Sequence, residues 1–208
     1  MIITTGGIKG GDGKSTIATA LAKHLNATLI DCDNRQRCAY IKAQEMGLAS
    51  AVIPNNESEV KKFMFDLKKS STPDNLIIFD TGGKDTKANR LAFILADLLI
   101  IPFGFSPMGK IGLEETLDLI DELNINRNPK INYRILLNNI DHRTSDFHKG
   151  IKYLETKKLP HYLFCIGRYK AIPNAIEENK SIFEMNDEKA KFCFEKLIRE
   201  INKNLFNK

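Results

Sequence analysis

Short, unbroken apolar runs alternate along this chain with longer stretches in which apolar residues recur every three or four positions. The runs predict strands at 1–5 (MIITT), 27–32 (ATLIDC), 75–80 (NLIIFD), 97–103 (DLLIIPF), 133–138 (YRILLN) and 162–166 (YLFCI). Continuous rather than alternating apolarity is what strands covered on both faces of a parallel sheet require. The helical spacing predicts helices over 15–25, 58–69, 86–96, 112–124, 145–157 and 187–206. Strands that alternate with helices imply an α/β fold, a doubly wound, mostly parallel sheet with helices on both faces. No repeat, low-complexity tract or linker interrupts the pattern, and 208 residues suit a single domain over 1–208.

Composition excludes several classes without choosing among the rest. A hydrophobic share of 42% with 8% aromatics is that of an ordinary globular chain. No run approaches the ~18 apolar residues of a spanning helix, and MIITTGG lacks a secretory n-region and apolar core. Cys32, Cys38, Cys165 and Cys193 show neither a C-x-x-C pair nor metal-ligand spacing, so reduced thiols in a cytoplasmic protein are expected. The net charge of +5 is uneven. Between His142 and Lys170, the basic Arg143, Lys149, Lys152, Lys157, Lys158, Arg168 and Lys170 are opposed only by Asp146 and Glu155. A local basic surface suits contact with nucleic acid, and a solvated lysine-rich helix face is the alternative.

Candidate chemistry gathers where the strands end. In an open α/β sheet, ligands bind beyond the carboxyl ends of the strands. The loop GGIKGGDGKST (6–16) follows the first strand, Asp31 and Asp33 close the second, and Asp80 closes the third. Gly10, Gly11 and Gly13 lack Cβ atoms, so successive N–H groups can curl inward as an anion nest, with Asp12 and Thr16 in the same turn. The helix that follows adds its positive N-terminal end. Lys14 can reach β- and γ-phosphates, and the Ser15 hydroxyl can ligate Mg²⁺. The strict pattern G-x-x-x-x-G-K-[ST] would put glycine at position 8, which is Ile8. Lys9, five residues before Lys14, is either a surface lysine beside this site or a second functional cation.

Lys9-Gly10-Gly11-Asp12-Gly13-Lys14-Ser15 resembles the deviant phosphate loop K-G-G-x-G-K-[ST] of the ParA/MinD ATPase family. TLIDCD, LIIFDTGG, DLLIIPFGFSP and AIEENKSIFE resemble successive family segments, so the resemblance spans nearly the whole chain. It is nearest to short plasmid-type ParA proteins without an N-terminal helix-turn-helix, for which the early loop leaves no room. The resemblance implies a P-loop NTPase fold, ATP and Mg²⁺ as cofactors, and slow, partner-stimulated hydrolysis to ADP and phosphate. It further implies an ATP-dependent sandwich homodimer in which Lys9 reaches the phosphates of the other subunit. Ser15 and Asp80 would hold Mg²⁺, Asp31 would support its waters, and Asn138 would stand near the adenine. Asp33 would orient the attacking water, with a loop cap as its structural alternative. DNA held nonspecifically, through Lys149, Lys152, Arg168 and Lys170, and a ParB-like centromere-binding partner complete the expectation, for a cytoplasmic protein that associates with the nucleoid when ATP is bound.

One departure stands out: the family's D-P-Q is here Asp33-Asn34-Arg35-Gln36, which frees the switch segment. A MinD-like membrane-cycling ATPase is the alternative. The C-terminal stripe of Phe194, Leu197, Ile198, Ile201 and Leu205 could serve it, but Glu195 and Glu200 weaken a membrane face, and no stable membrane association is expected. A carboxylate-activating ligase of the same superfamily is a third reading, and no cysteine pair is placed for a bridging iron cluster.

Overall fold

The structure, a computed structural model, describes residues 1–141 and 143–206. Its strands are β1 (Ile2–Thr5), β2 (Thr28–Asp31), β3 (Ser50–Val52), β4 (Ile77–Asp80), β5 (Leu98–Phe103), β6 (Tyr133–Ile140) and β7 (His161–Gly167). Its helices are α1 (Lys14–Leu25), α2 (Cys38–Glu45), α3 (Glu57–Ser70), α4 (Lys87–Leu95), α5 (Pro107–Asn124), α6 (Asp146–Thr156), α7 (Ala171–Glu177) and α8 (Glu188–Phe206). The strands form one sheet in the order β3-β2-β4-β1-β5-β6-β7, and every pairing is parallel. The α/β doubly wound architecture expected from the sequence is present.

Period-2 alternation explains the layers. Ile3, Leu29, Ile78, Ile100 and Leu136 pack beneath α1, α2, α7 and α8. Their chain neighbours Ile2, Ile30, Ile77, Leu99 and Leu137 pack beneath α3 to α6. Successive positions in the middle of a strand must therefore both be apolar, which is why the runs are continuous.

Three elements escaped the sequence pattern: α2, β3 and α7. Helix α2 has no side-chain cap of its own, since its N-cap Arg37 is left-handed at φ 52°. Asp31, nine residues earlier on β2, accepts from the Tyr40 N–H at 3.0 Å and caps it from outside. Strand β3 is three half-buried residues at the sheet edge. Helix α5 starts at Pro107 rather than 112, because Ser106 accepts from the Gly109 N–H at 2.9 Å and Pro107 takes the first turn.

The apolar stripe of α8 is taken up by the core. Phe194 and Leu197 are fully buried and Ile201 nearly so, beside α7 and the sheet. Among the described residues, no helix is long and apolar enough to cross a membrane. Phe194→Ala is expected to cost about 3–5 kcal/mol of stability, read as a lower denaturant midpoint. A change within about 0.5 kcal/mol would mean that the stripe does not belong to the core.

Candidate nucleotide site at the carboxyl edge of the sheet

Register brings three polar side chains level. Thr5 on β1 pairs with Asp80 on β4, which pairs with Asp31 on β2. By alternation all three lie on the α1 side of the sheet. Asp80 is buried, receives the Thr5 hydroxyl at 3.3 Å and also accepts from Ser15. Burial pushes its carboxyl up to about 7, reinforced by the charge of Asp31 and opposed by the Ser15 hydrogen bond and the Lys14 ammonium.

The loop leading into α1 is wedged between two halves of the sheet. On one side, Gly83 backs onto Gly10 so closely that a Cβ on Gly83 would lie 2.8 Å from the Gly10 nitrogen. On the other, Asn138 of β6 donates to the Asp12 carbonyl at 2.8 Å. Gly13 adopts φ +87°, and a Cβ there would lie 2.3 Å from Asn138 Nδ2. Only glycine meets both demands. Helix α1 starts after its N-cap Gly13 with no side-chain cap of its own, as do α2, α6 and α7, whereas α3, α4 and α5 are capped by Asn56, Thr86 and Ser106. Its first N–H groups are thus oriented for an external anion.

The two loop lysines differ in setting. Lys14 is buried and donates to the Lys9 carbonyl; burial lowers its ammonium, with Asp80 and Asp12 partly restoring it. Lys9 keeps 28% of its side chain exposed, rests on Gly112 of α5 and lies 3.8 Å from Asp12 Oδ1. Burial raises the Asp12 carboxyl, opposed by both lysines.

The remaining predicted residues are placed unequally. Asp33 Oδ1 accepts from the Arg35 and Gln36 N–H groups, each at 3.1 Å, which makes it a turn cap. Its Oδ2 faces Gly82, 3.2 Å from where a Cβ would stand, at the same rim as the loop. Asp31 Oδ1 takes the Asp33 N–H at 2.8 Å and Oδ2 that of Tyr40. It braces the β2–α2 loop. Asn138 braces the phosphate loop by its amide. Gly82, Gly83 and Thr116 were not anticipated. The Thr116 hydroxyl accepts from the Ile8 N–H at 3.1 Å and donates to Gly112 at 2.7 Å, which ties the loop to α5. Gly82-Gly83 was visible beside Asp80 in the sequence, but Thr116 carried no local signal.

The basic segment is divided by β7. Lys149 and Lys152 are exposed on α6, while Arg168 and Lys170 are exposed at the start of α7, against the other face of the sheet. Arg143 pairs bidentately with Asp141, and Lys157 with Glu114. Arg168 donates to Asn139 at 3.2 Å. His142 lies outside the described residues.

The donor set fits a magnesium nucleotide: an uncapped helix start, a glycine turn and a buried lysine for phosphates, and Ser15 beside Asp80 for a hard cation. A family profile described as the CobQ/CobB/MinD/ParA nucleotide-binding domain matches residues 3–182. The chain belongs to this family. Solved structures with the same fold include an ATP complex of a McdA variant from Cyanothece, at TM-score 0.73 and 16% identity over 98% of this chain and 95% of that one. A putative plasmid partition protein of Borrelia burgdorferi bound to AMPPNP gives 0.66 and 20%, over 97% and 98%. The MinD cell division protein of Aquifex aeolicus gives 0.69 and 17%, over 91% and 92%. Curated proteins return no match. Within the family, then, this chain keeps the nucleotide-binding loop and is similar to partition-type and MinD-type relatives alike.

Proposed function

We propose that the chain is an ATPase whose ATP–Mg²⁺ form pairs two copies across their loops and holds DNA nonspecifically, until hydrolysis stimulated by a ParB-like partner releases both. The observation that carries this reading is the contrast between the two loop lysines. Lys14 is buried within its own loop, whereas Lys9 sits on the outer limb with only a 3.8 Å ion pair to Asp12. A part-exposed ammonium held by one weak ion pair can swing to the phosphates of a facing loop once it leaves its seat on Gly112.

In this reading the uncapped start of α1 and Lys14 bind and orient the phosphates, and Ser15 with Asp80 hold the cation. Bound Mg²⁺ supplies charge neutralisation across the phosphate oxygens. Asp33 Oδ2 positions water at the rim, and Lys149 and Lys152 of α6 with Arg168 and Lys170 ahead of α7 take DNA phosphates. A membrane cycle finds no support in α8, whose stripe is buried in the core.

Solution mass of Asp33→Ala with ATP and Mg²⁺ tests the pairing, with DNA and liposome retention at two salt concentrations as the readout of partner. A dimer that retains DNA less well at the higher salt is the expected result; a persistent monomer would sink the reading. Lys9→Ala is expected to keep ATP binding within about threefold and to lose the dimer, since its side chain adds little to its own loop. A dimer undiminished in Lys9→Ala would refute the role of Lys9 across the interface.

A further inference from the structure

At the amino edge of the sheet, opposite the nucleotide loop, a groove of about 480 Å³ opens between the start of β7 and the second half of α8. Arg134, Lys196, Arg199 and Lys203 line it with one acid, Glu200. Glu200 is taken by Lys203 at 2.6 Å. Lys196 stands over the Phe192 ring at 4.7 Å, and Arg134 Nη1 donates to a backbone carbonyl at 2.9 Å. Arg199 has no ion pair among the described residues and is exposed. Four cations against one acid leave three positive charges on the walls.

Two buried polar atoms in the same walls lack partners. Tyr162 is 3% exposed, and its hydroxyl, lying where both Arg134 and Glu200 act on it, makes no hydrogen bond. His161 Nδ1 lies 2.8 Å from the Leu159 carbonyl and so carries the proton; its buried Nε2, also without a partner, is then an acceptor, and the anion's donor is left to Tyr162. A buried polar group without a partner is costly and calls for an occupant.

We propose that this groove is a second anion site, for a small soluble molecule bearing two phosphoryl groups. Each phosphate monoester brings about −1.5 to −2 charges at neutral pH, so two match the walls. The volume is that of a small-molecule pocket. A duplex favours exposed cations on an open surface, whereas these cations stand along the walls of a groove of small-molecule size. The site goes beyond the ATPase reading and does not rest on it: wild-type protein that failed to bind ATP would end that cycle and leave this measurement standing.

Pyrophosphate titrated calorimetrically into the full chain is the test, with Lys14→Ala used to silence the nucleotide loop. One pyrophosphate per chain is expected in Lys14→Ala. Adding Arg199→Ala or Tyr162→Phe should weaken it by about tenfold, the usual contribution of a hydrogen bond to a charged group. Tyr162→Phe removes only a hydroxyl without a partner, so its fold is safe. The same substitution in the wild type should weaken one of two pyrophosphates, should Lys14→Ala not fold. Absence of binding in folded Lys14→Ala, or affinity indifferent to both wall variants, would overturn the site. So would duplex DNA binding that responds to Arg199→Ala and ignores Tyr162→Phe, with pyrophosphate inert, because the cations would then be an open surface for a polymer.

Discussion

Gly13→Ala is expected to lose nucleotide binding and to destabilise the fold by about 2–5 kcal/mol, while Gly10→Ala leaves stability within about 0.5 kcal/mol. Two effects add at Gly13. Holding alanine at φ +87° costs about 1–2 kcal/mol. Its methyl would also fall 2.3 Å from Asn138 Nδ2, pushing that buried amide off the Asp12 carbonyl. A buried donor left unmade costs a further ~1–3 kcal/mol. At Gly10 nothing stands within 4 Å of a Cβ and no positive φ is required. Denaturant melts of the two variants, followed by ATP titration, test the contrast. Equal stability would mean that the Asn138 brace does not hold the loop.

Asp80→Asn should make the ligand-free protein more stable at pH 8 and little different at pH 4. The sign follows from proton counting. Asp80 titrates at about 7 in the fold against an ordinary value of 3.8, so between those values the native state holds a proton that the unfolded chain has released. Wild-type stability therefore falls as pH rises through this window and levels off above it. At about 1.4 kcal/mol per pH unit, the loss amounts to about 4 kcal/mol. Asparagine keeps the neutral shape and escapes the loss, so at pH 8 its melting temperature should lie about 10 °C above wild type. The same variant should bind magnesium nucleotide worse, because the carboxylate that weakens the free protein is the charge the cation needs. Melting curves that run parallel from pH 4 to 8 would show that Asp80 is not strained by its burial.

These two positions also show what the sequence could reveal. Gly13 and Asp80 were legible because one opens a helix and the other closes a strand in a pattern whose chemistry depends on spacing along the chain. Continuous apolar runs made the layers legible as well. The bracing hydrogen bonds of Asp31 and Asn138 went unread for one reason: each points at backbone that arrives from elsewhere in the fold. Asp31 caps a helix nine residues on, and Asn138 reaches a loop 126 residues earlier. Helix α2 was invisible for the same cause, because its cap is not among its own residues. The basic stretch read as one patch until β7 put its parts on different faces. Register and tertiary capping have no signature in a linear pattern.

The loop between β1 and α1 is fastened at both limbs, by Asn138 and Thr116 toward one half of the sheet and by the Gly83 contact toward the other. A segment so rich in glycine would otherwise hold a large reserve of backbone disorder, to be surrendered each time phosphate arrives. Here most of that ordering has taken place during folding itself, and it lowers overall stability instead. The loop meets phosphate already shaped for it, and substitutions in β6 or α5, far along the chain from any phosphate, should weaken binding through entropy without removing a single ligand contact.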